Sequence, residues 1–276
     1  DLNNDPQDPG VKAAVAEAGD EVAHIIRHTY EQLVSIGKSI SQDISEQVKE
    51  ANDLLVRIGD VSNAIIFAIR NGAQPNDLLD KRDNLLDELA SLVPIAVTAK
   101  DSGAITVKFM YAAEGDTDGI EVLNVDGTSK VVAKLGLDDT DPSKSCLLID
   151  YGGTKTNVNL TDIADKPSAA KGAILGNESA RLENIELMKQ LDNLAKAIID
   201  NVNSRAGLTF FTGDSADDMA LDDYIKKNPV AIIGDNALTV AQLQSTPLPF
   251  GIGNLTIEEY YQSIVTRVGA DVDTAG

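Results

Sequence analysis

A chain of 276 residues, 43% hydrophobic and 24% charged, can bury a real core in one large domain or two ordinary ones, and this composition excludes wholesale disorder. A formal net charge of −21, from 44 acidic against 23 basic side chains, disfavours nucleic acid and anionic lipid as partners. No apolar run approaches the roughly 18 residues of a membrane span, and a single cysteine, Cys146, excludes an internal disulfide.

The chain opens Asp1-Leu2-Asn3-Asn4, with neither an initiator methionine nor a signal peptide, and so reads as a piece excised from a longer protein. No proline occurs between Pro9 and Pro75, and apolar or small residues recur there on alternating three- and four-residue steps. The stripe runs Val11, Val15, Ala18, Val22, Ile25, Thr29, Leu33 and Ile36, then Ile40, Ile44, Val48, Ala51, Leu55, Ile58, Ser62, Ile65 and Ile69. It predicts a long amphipathic helix, or two end to end, in coiled-coil packing. Gly19, Gly37 and Gly59 interrupt it, each costing about 1 kcal/mol relative to Ala, so a bend or break is expected near one of them. Asn71-Gly72 ends the segment. A second helix follows Pro75, with Asn76 as its expected cap and a stripe through Leu78, Leu79, Leu85, Leu86, Leu89 and Leu92 up to Pro94.

From Ile95 to about Lys166 the texture changes to short apolar runs between Gly- and Asp-rich turns. Strands are expected at Ile95 to Ala99, Ala104 to Tyr111, Ile120 to Val125, Lys130 to Ala133, Cys146 to Tyr151 and Thr156 to Leu160. Helical periodicity returns after Gly176, from Leu182 to Val202, and a last helix begins at Thr256 with Glu259 completing a capping box. A short strand is expected at Leu208 to Phe211. There is no internal repeat. The fold class is therefore α+β: an elongated helical bundle or coiled-coil domain built from both chain ends, residues 1–97 and 169–276, with a small all-β domain, residues 98–168, inserted.

Several motifs suggest chemistry and fall short of it. Asp150-Tyr151-Gly152-Gly153-Thr154 resembles the phosphate-binding hairpin of glucokinase-type sugar kinases. No second glycine loop or catalytic aspartate accompanies it, and a plain hairpin turn accounts for it. His24 and His28 share a helix face, but Ile25 stands where a zinc hydrolase needs glutamate, and the chain has no third histidine. Glu114 to Gly119 imitates the start of a calcium loop whose twelfth position would be Val125. Asp80, Asp83 and Asp87 share a solvated face, and Cys146 lacks a partner base. No catalytic residue, cofactor or metal is expected. Arg82 stands apart, on the edge of a leucine stripe beside Asp80 and Asp83. Two readings are open: a structural ion pair locking two helices or two subunits, with Asp80 and Asp83 as candidate partners, or a stem laid on the core with its head in water.

The run Gln74-Pro75-Asn76-Asp77-Leu78-Leu79-Asp80-Lys81-Arg82-Asp83 resembles a motif of the bacterial flagellar hook-associated protein 1 family. Asn4-Asp5-Pro6, Val48 to Ile58, Gly172 to Gly176 and Leu255 to Gly269 with Tyr260-Tyr261 are similar to its flanking segments. The resemblance covers most of the chain in order. It implies a non-enzymatic structural subunit, exported through the flagellar secretion apparatus to an extracellular site, forming the junction ring between hook and filament. The implied partners are copies of itself, the hook protein and the second hook-associated protein. The family's terminal helices would lie outside this fragment, which is expected to be monomeric alone. The alternatives from other classes are an ATP-dependent sugar kinase and a generic coiled-coil binding module.

Overall fold

The computed structural model describes residues 2, 4–111, 119–141, 144–164, 172–250 and 253–275. The chain forms two compact units, one of Asp1–Ile36 with Asn184–Gly276 and one of Gly37–Glu183. Both chain ends fall in the first of these units. The division differs from the sequence-based boundaries at 97/98 and 168/169, the second of which lies outside the described residues.

Helix α1 (Pro9–Arg70) contributes to both units and is unbroken at Gly19, Gly37 and Gly59. Two of these glycines have a packing reason instead of a breaking one. A Cβ at Gly19 would stand 2.6 Å from the Phe210 ring, and one at Gly59 would stand 3.3 Å from Leu123. The helix ends in a Schellman motif. Gly72 adopts φ 78°, its N–H reaches Ile69 O at 2.9 Å, and the Ala73 N–H reaches Ala68 O at 3.0 Å. Helix α2 (Asn76–Leu92) starts at Asn76 itself, so its cap position falls on Pro75, one residue before the expected cap. The Pro75 carbonyl accepts from Leu78 N and Leu79 N, and no side chain caps the helix.

In the Gly37–Glu183 unit, β1 (Ile95–Ala99), β2 (Ile105–Phe109), β3 (Ile120–Val125) and β4 (Lys130–Val132) form an antiparallel sheet in that order. A second antiparallel sheet holds β5 (Lys134–Asp141), β6 (Lys144–Tyr151) and β7 (Thr154–Asn159). Strand β5 was not expected. Its sequence, Lys-Leu-Gly-Leu-Asp-Asp-Thr-Asp, has one buried residue, Leu135. The Asn52 side chain of α1 holds that position as a strand would: Leu135 N donates to Asn52 Oδ1 at 2.8 Å, and Asn52 Nδ2 donates to Leu135 O at 3.0 Å. One hydrophobic cluster joins Ile44, Leu55, Ile58 and Ile65 of α1 with Leu89 of α2 and with Val107, Leu123 and Ile149 of the strands. The strands bury their apolar face on the helices, so helices and sheets share a core here. Short α3 (Leu160–Ala164) and the start of α4 (Ala173–Ala206) complete the unit.

In the other unit, small residues of α1, Ala16 and Ala23, pack with Ala195 and Ile199 of α4, and with Phe210, Phe211, Met219 and Leu221. The hairpin β8 (Phe211–Thr212) and β9 (Ala220–Leu221) is fixed by Asn203 of α4. The Asn203 Oδ1 accepts from Phe210 N at 2.8 Å and Phe211 N at 2.9 Å, while its Nδ2 donates to Phe211 O at 2.7 Å. Helix α5 (Asp223–Lys227) is capped by the Asp222 carboxylate, and α6 (Ala237–Ala241) follows two 3-10 turns. The strands β10 (Leu248–Phe250) and β11 (Gly253–Leu255) lead to α7 (Ile257–Ala275). The expected capping box is present: Thr256 N donates to Glu259 Oε2 at 2.8 Å, and Glu259 N donates to Thr256 Oγ1 at 3.1 Å.

Candidate functional site

Helix α2 turns its leucines and Arg82 inward; Leu85, Leu89 and Arg82 are all buried. The Arg82 guanidinium donates through Nη1 to the carbonyl of Gly103, at 3.3 Å, in the β1–β2 turn. Its Nε lies 3.8 Å from the Asp83 carboxylate, which is 69% exposed. Adjacent helical residues face apart, so this contact stays long. Asp80 is exposed and makes no ion pair among the described residues. Of the three side chains singled out, the fold therefore brings Arg82 and Asp83 together and leaves Asp80 in solvent. Arg82 chiefly ties α2 to the β1–β2 turn. Gly103 has φ 86°, and a Cβ there would meet Ile65 at 2.8 Å, so the turn closes directly onto α1.

A fully buried ion pair lies elsewhere and was not foreseen. On α4, Arg181 donates to Glu178 through Nε and through Nη2, each at 2.7 Å. The Glu178 side chain is 0% and the Arg181 side chain 7% exposed. Thr161 of α3 donates to the same carboxylate at 2.7 Å, and Thr161 Oγ1 in turn accepts from Ser145 N of β6 at 3.1 Å. Two strong charge-assisted bonds and a hydroxyl thus compensate the buried carboxylate. An i,i+3 Glu/Arg spacing on a helix ordinarily marks a solvated face, and nothing local to it shows that α3 and β6 cover it.

The motifs that imitate catalytic sites resolve into turn chemistry. Tyr151 pairs with Thr154 across a two-residue turn, and Gly152 and Gly153 take φ 58° and 86°, the signs a type I′ hairpin demands. A Cβ at Gly153 would meet nothing within 4 Å. Tyr151 donates to the Glu121 carboxylate, and its own pKa is raised, first by burial and then by that partner. Asp126 closes the β3–β4 turn by accepting from Thr128 Oγ1 and N, each at 2.7 Å, and from Ser129 N at 2.8 Å; these bonds hold its pKa below the usual carboxylate range. His24 and His28 are exposed, with ring centroids 6.1 Å apart. Cys146 is free and half-buried. The calcium-like stretch at 114–118 lies outside the described residues. Among the described residues, no group of three or more His, Cys, Asp or Glu side chains could hold a metal ion, and no helix is long and apolar enough to cross a membrane.

In the Asp1–Ile36 and Asn184–Gly276 unit, α1, α4 and α6 enclose an apolar pocket of about 460 Å³. Val15 and Val22 of α1, Ile198 and Val202 of α4, and Val240 of α6 are among its walls. Among the described residues its one polar side chain, Asn236, is already engaged with Ala206 O at 2.9 Å. Such a surface can take an apolar group, and among the described residues it has no acid, base or nucleophile to act on one. Near this core the loop at Asp214 to Asp218 is held by carboxylates. Asp218 Oδ1 accepts from Asp214 N and Ser215 N, each at 3.0 Å, and Asp192 Oδ1 accepts from Ala216 N at 2.9 Å.

What this arrangement shares with known proteins is an architecture. The family described as Flagellar hook-associated protein FlgK helical domain matches residues 1–219. The flagellar hook-associated protein 1 of Bacillus subtilis is 28% identical over 181 residues, covering 64% of this chain and 34% of that protein. That of Escherichia coli is 23% identical over 220 residues, covering 79% and 38%. The solved structure of the flagellar hook junction protein FlgK from Burkholderia pseudomallei shares the fold, with a TM-score of 0.58 at 18% identity, covering 74% of this chain and 35% of that one. The chain spans little more than a third of the length of these relatives. With its helical unit matched across more than half of its residues, the chain belongs to the FlgK family of flagellar hook-associated proteins.

Proposed function

We propose that this chain is the helical and outer portion of a structural subunit that forms the junction ring between the flagellar hook and filament. The family match over residues 1–219 is the observation that carries this reading. In that role its neighbours are other copies of itself, the hook protein and the second hook-associated protein, outside the cell. The buried polar contacts fit a part that holds shape under load. Glu178 with Arg181 ties α4 to α3, and Arg82 ties α2 to the β1–β2 turn. No observation favours catalysis; the sugar-kinase reading has only the Gly152–Gly153 turn behind it.

Deletion of the gene tests the proposal. The mutant should build hooks that carry no filament and release unattached filament protein into the medium. Immunogold labelling of the wild-type cell should decorate the distal end of the hook. Filaments still attached to hooks in the deletion strain would overturn it, as would label confined to the cytoplasm. A thermal shift by millimolar Mg-ATP would instead support the kinase alternative.

A further inference from the structure

One face of α1 carries donor groups that the rest of the molecule leaves unused. Glu17, Glu21, His24, His28 and Glu31 recur at steps of four, three, four and three residues, so they stand in one row along the helix, and all five are exposed. The row is turned away from the apolar stripe of the same helix and from its buried face of Ala16, Ala23 and Ile26. Every residue of it belongs to the Asp1–Ile36 segment, within a single compact unit. The His24 and His28 ring centroids are 6.1 Å apart, with the ring planes inclined at 58°. Between Lys12 and Lys38 the only Lys or Arg is Arg27, and its Nη1 donates to the Met219 carbonyl at 3.1 Å.

We infer that His24 and His28 chelate one divalent late-transition-metal ion, of the nickel, copper and zinc class, through one ring nitrogen each, with water filling its remaining positions. Spacing supplies the geometry. Residues four apart stand one turn above each other on a helix, and metal–nitrogen bonds of about 2.0–2.1 Å put two ligating nitrogens about 3 Å apart. Both side chains are exposed, so rotation about their staggered side-chain bonds brings the rings from the observed separation into a chelate. Once one imidazole has bound, the helix presents the second at high effective concentration. Donor type selects the ion. Imidazole suits copper, nickel and zinc, whereas magnesium and calcium take oxygen ligands. Among the described residues no third His, Cys, Asp or Glu joins the pair in a metal-holding group, so the protein supplies two ligands and solvent the rest. That separates the pair from a closed structural zinc centre, and Ile25 leaves it without the glutamate base of a zinc hydrolase. Charge favours occupancy. Glu21 and Glu31 flank the pair three residues out on either side, and the chain's net charge is −21, so a dication is drawn to this face. An ion held by both rings spans one turn of α1 and is bound by the helical chain alone, so it stabilises the fold.

The probe is nickel chloride, titrated calorimetrically into the untagged whole chain near neutral pH, with magnesium chloride as the control. Nickel should bind at one site and raise the Tm, and magnesium at the same concentration should do neither. His24→Gln and, separately, His28→Gln should each weaken nickel about tenfold or more and remove the Tm rise. The metal-free Tm should stay unchanged in both, because both side chains are exposed. Two double variants separate geometry from histidine number. His24→Gln with Gln32→His restores a pair four residues apart, at another exposed position, and nickel binding should return. His24→Gln with Thr29→His leaves two adjacent histidines that face apart, and binding should stay weak. The inference is overturned if nickel does not bind, if magnesium binds as nickel does, or if nickel binding survives either single substitution. Equal nickel affinity in the two double variants would overturn the chelate and assign the binding to single imidazoles.

Discussion

In the Gly37–Glu183 unit the apolar stripe of α1 is sealed: Ile44, Val48, Ala51, Leu55, Ile58 and Ile65 are all under 5% exposed. In the unit that holds Asp1–Ile36 the same periodic stripe is partly open, with Val22, Ile25 and Ile36 exposed and Val11, Val15 and Leu33 half-buried, and the helix buries Ala16, Gly19 and Ala23 one step around its circumference. The two halves differ in what they meet. The later half faces sheets and α2, which present leucine, valine and isoleucine at ordinary packing distance. The earlier half faces the Phe210 and Phe211 rings, stacked edge to face with centroids 4.9 Å apart. Bulky rings need small neighbours, and the Gly19 position admits Phe210 where any side chain would collide. Periodicity therefore locates a helix, but partner shape decides which of two adjacent rows is core.

The largest expected effect tests how sealed the Gly37–Glu183 unit is. Glu178→Gln leaves the Arg181 charge buried without its carboxylate and should cost about 3–5 kcal/mol in urea denaturation. Arg82→Met removes a cation whose nearest carboxylate is long and exposed, and should lose less, about 1–2 kcal/mol. Equal losses would mean that the two arginines sit in equivalent surroundings. The stripe itself offers a matched pair on one helix. Ile58→Ala empties a fully buried site and should cost about 2–5 kcal/mol, whereas Ile25→Ala should stay within about 0.5 kcal/mol of wild type. A large loss at Ile25 would mean that this part of the stripe is covered.

Glycine substitution sharpens the same contrast at smaller scale. Both Gly19 and Gly176 lie inside helices, where alanine is intrinsically better by about 1 kcal/mol. At Gly176 a Cβ meets nothing within 4 Å, so Gly176→Ala should raise stability by up to about 1 kcal/mol. At Gly19 it meets the Phe210 ring at 2.6 Å, so Gly19→Ala should lower stability by about 1–3 kcal/mol despite the better propensity. Thermal melts that move both variants in one direction would remove the packing explanation for the small row.

Much of this was legible beforehand, for physical reasons that can be named. The strands at Ile95–Ala99 and Ile120–Val125 lie where apolar runs between glycine turns put them. The Thr256–Glu259 box works because both of its bonds are local. What escaped depends on distant chain. Strand β5 is polar along most of its length and is registered by Asn52, 83 residues away. The buried face of the early helix is chosen by aromatic rings near residue 210. The Glu178–Arg181 pair looks solvated until Thr161 and Ser145 are brought over it. The boundary between compact units falls within a continuous helix, at Gly37, one of three glycines in the stripe, and nothing local to it sets it apart from Gly19 or Gly59.

The smallest effect concerns the acidic loop of the more open unit and depends on pH. Burial raises the Asp192 pKa above its ordinary value, and the charges of Asp217, Asp218 and Asp214 add to this, while the bond from Ala216 N opposes it. A carboxyl whose folded pKa exceeds its unfolded pKa contributes stability only below the unfolded value, near 4, and loses it as pH rises through the folded value. At pH 7 the charged Asp192 is therefore a small net cost. Asp192→Asn keeps an oxygen for Ala216 N and removes the charge, so it should stabilise the protein at pH 7. Asp192 is only half-buried, so the gain should stay under about 1 kcal/mol, a Tm rise of about 2–4 °C at most. It should shrink in high salt and vanish near pH 3. Asp218 carries the opposite sign. Burial would push it up, but the bonds from Asp214 N, Ser215 N and Ser215 Oγ prevail and lower its pKa. Its contribution is present above the unfolded value and lost as pH falls through the folded one, so Asp218→Asn should destabilise at pH 7 and converge on wild type in acid. Melts at pH 7 and pH 3 that show the two variants shifting in the same direction would mean that the loop acts through its shape alone, with no part for its charge.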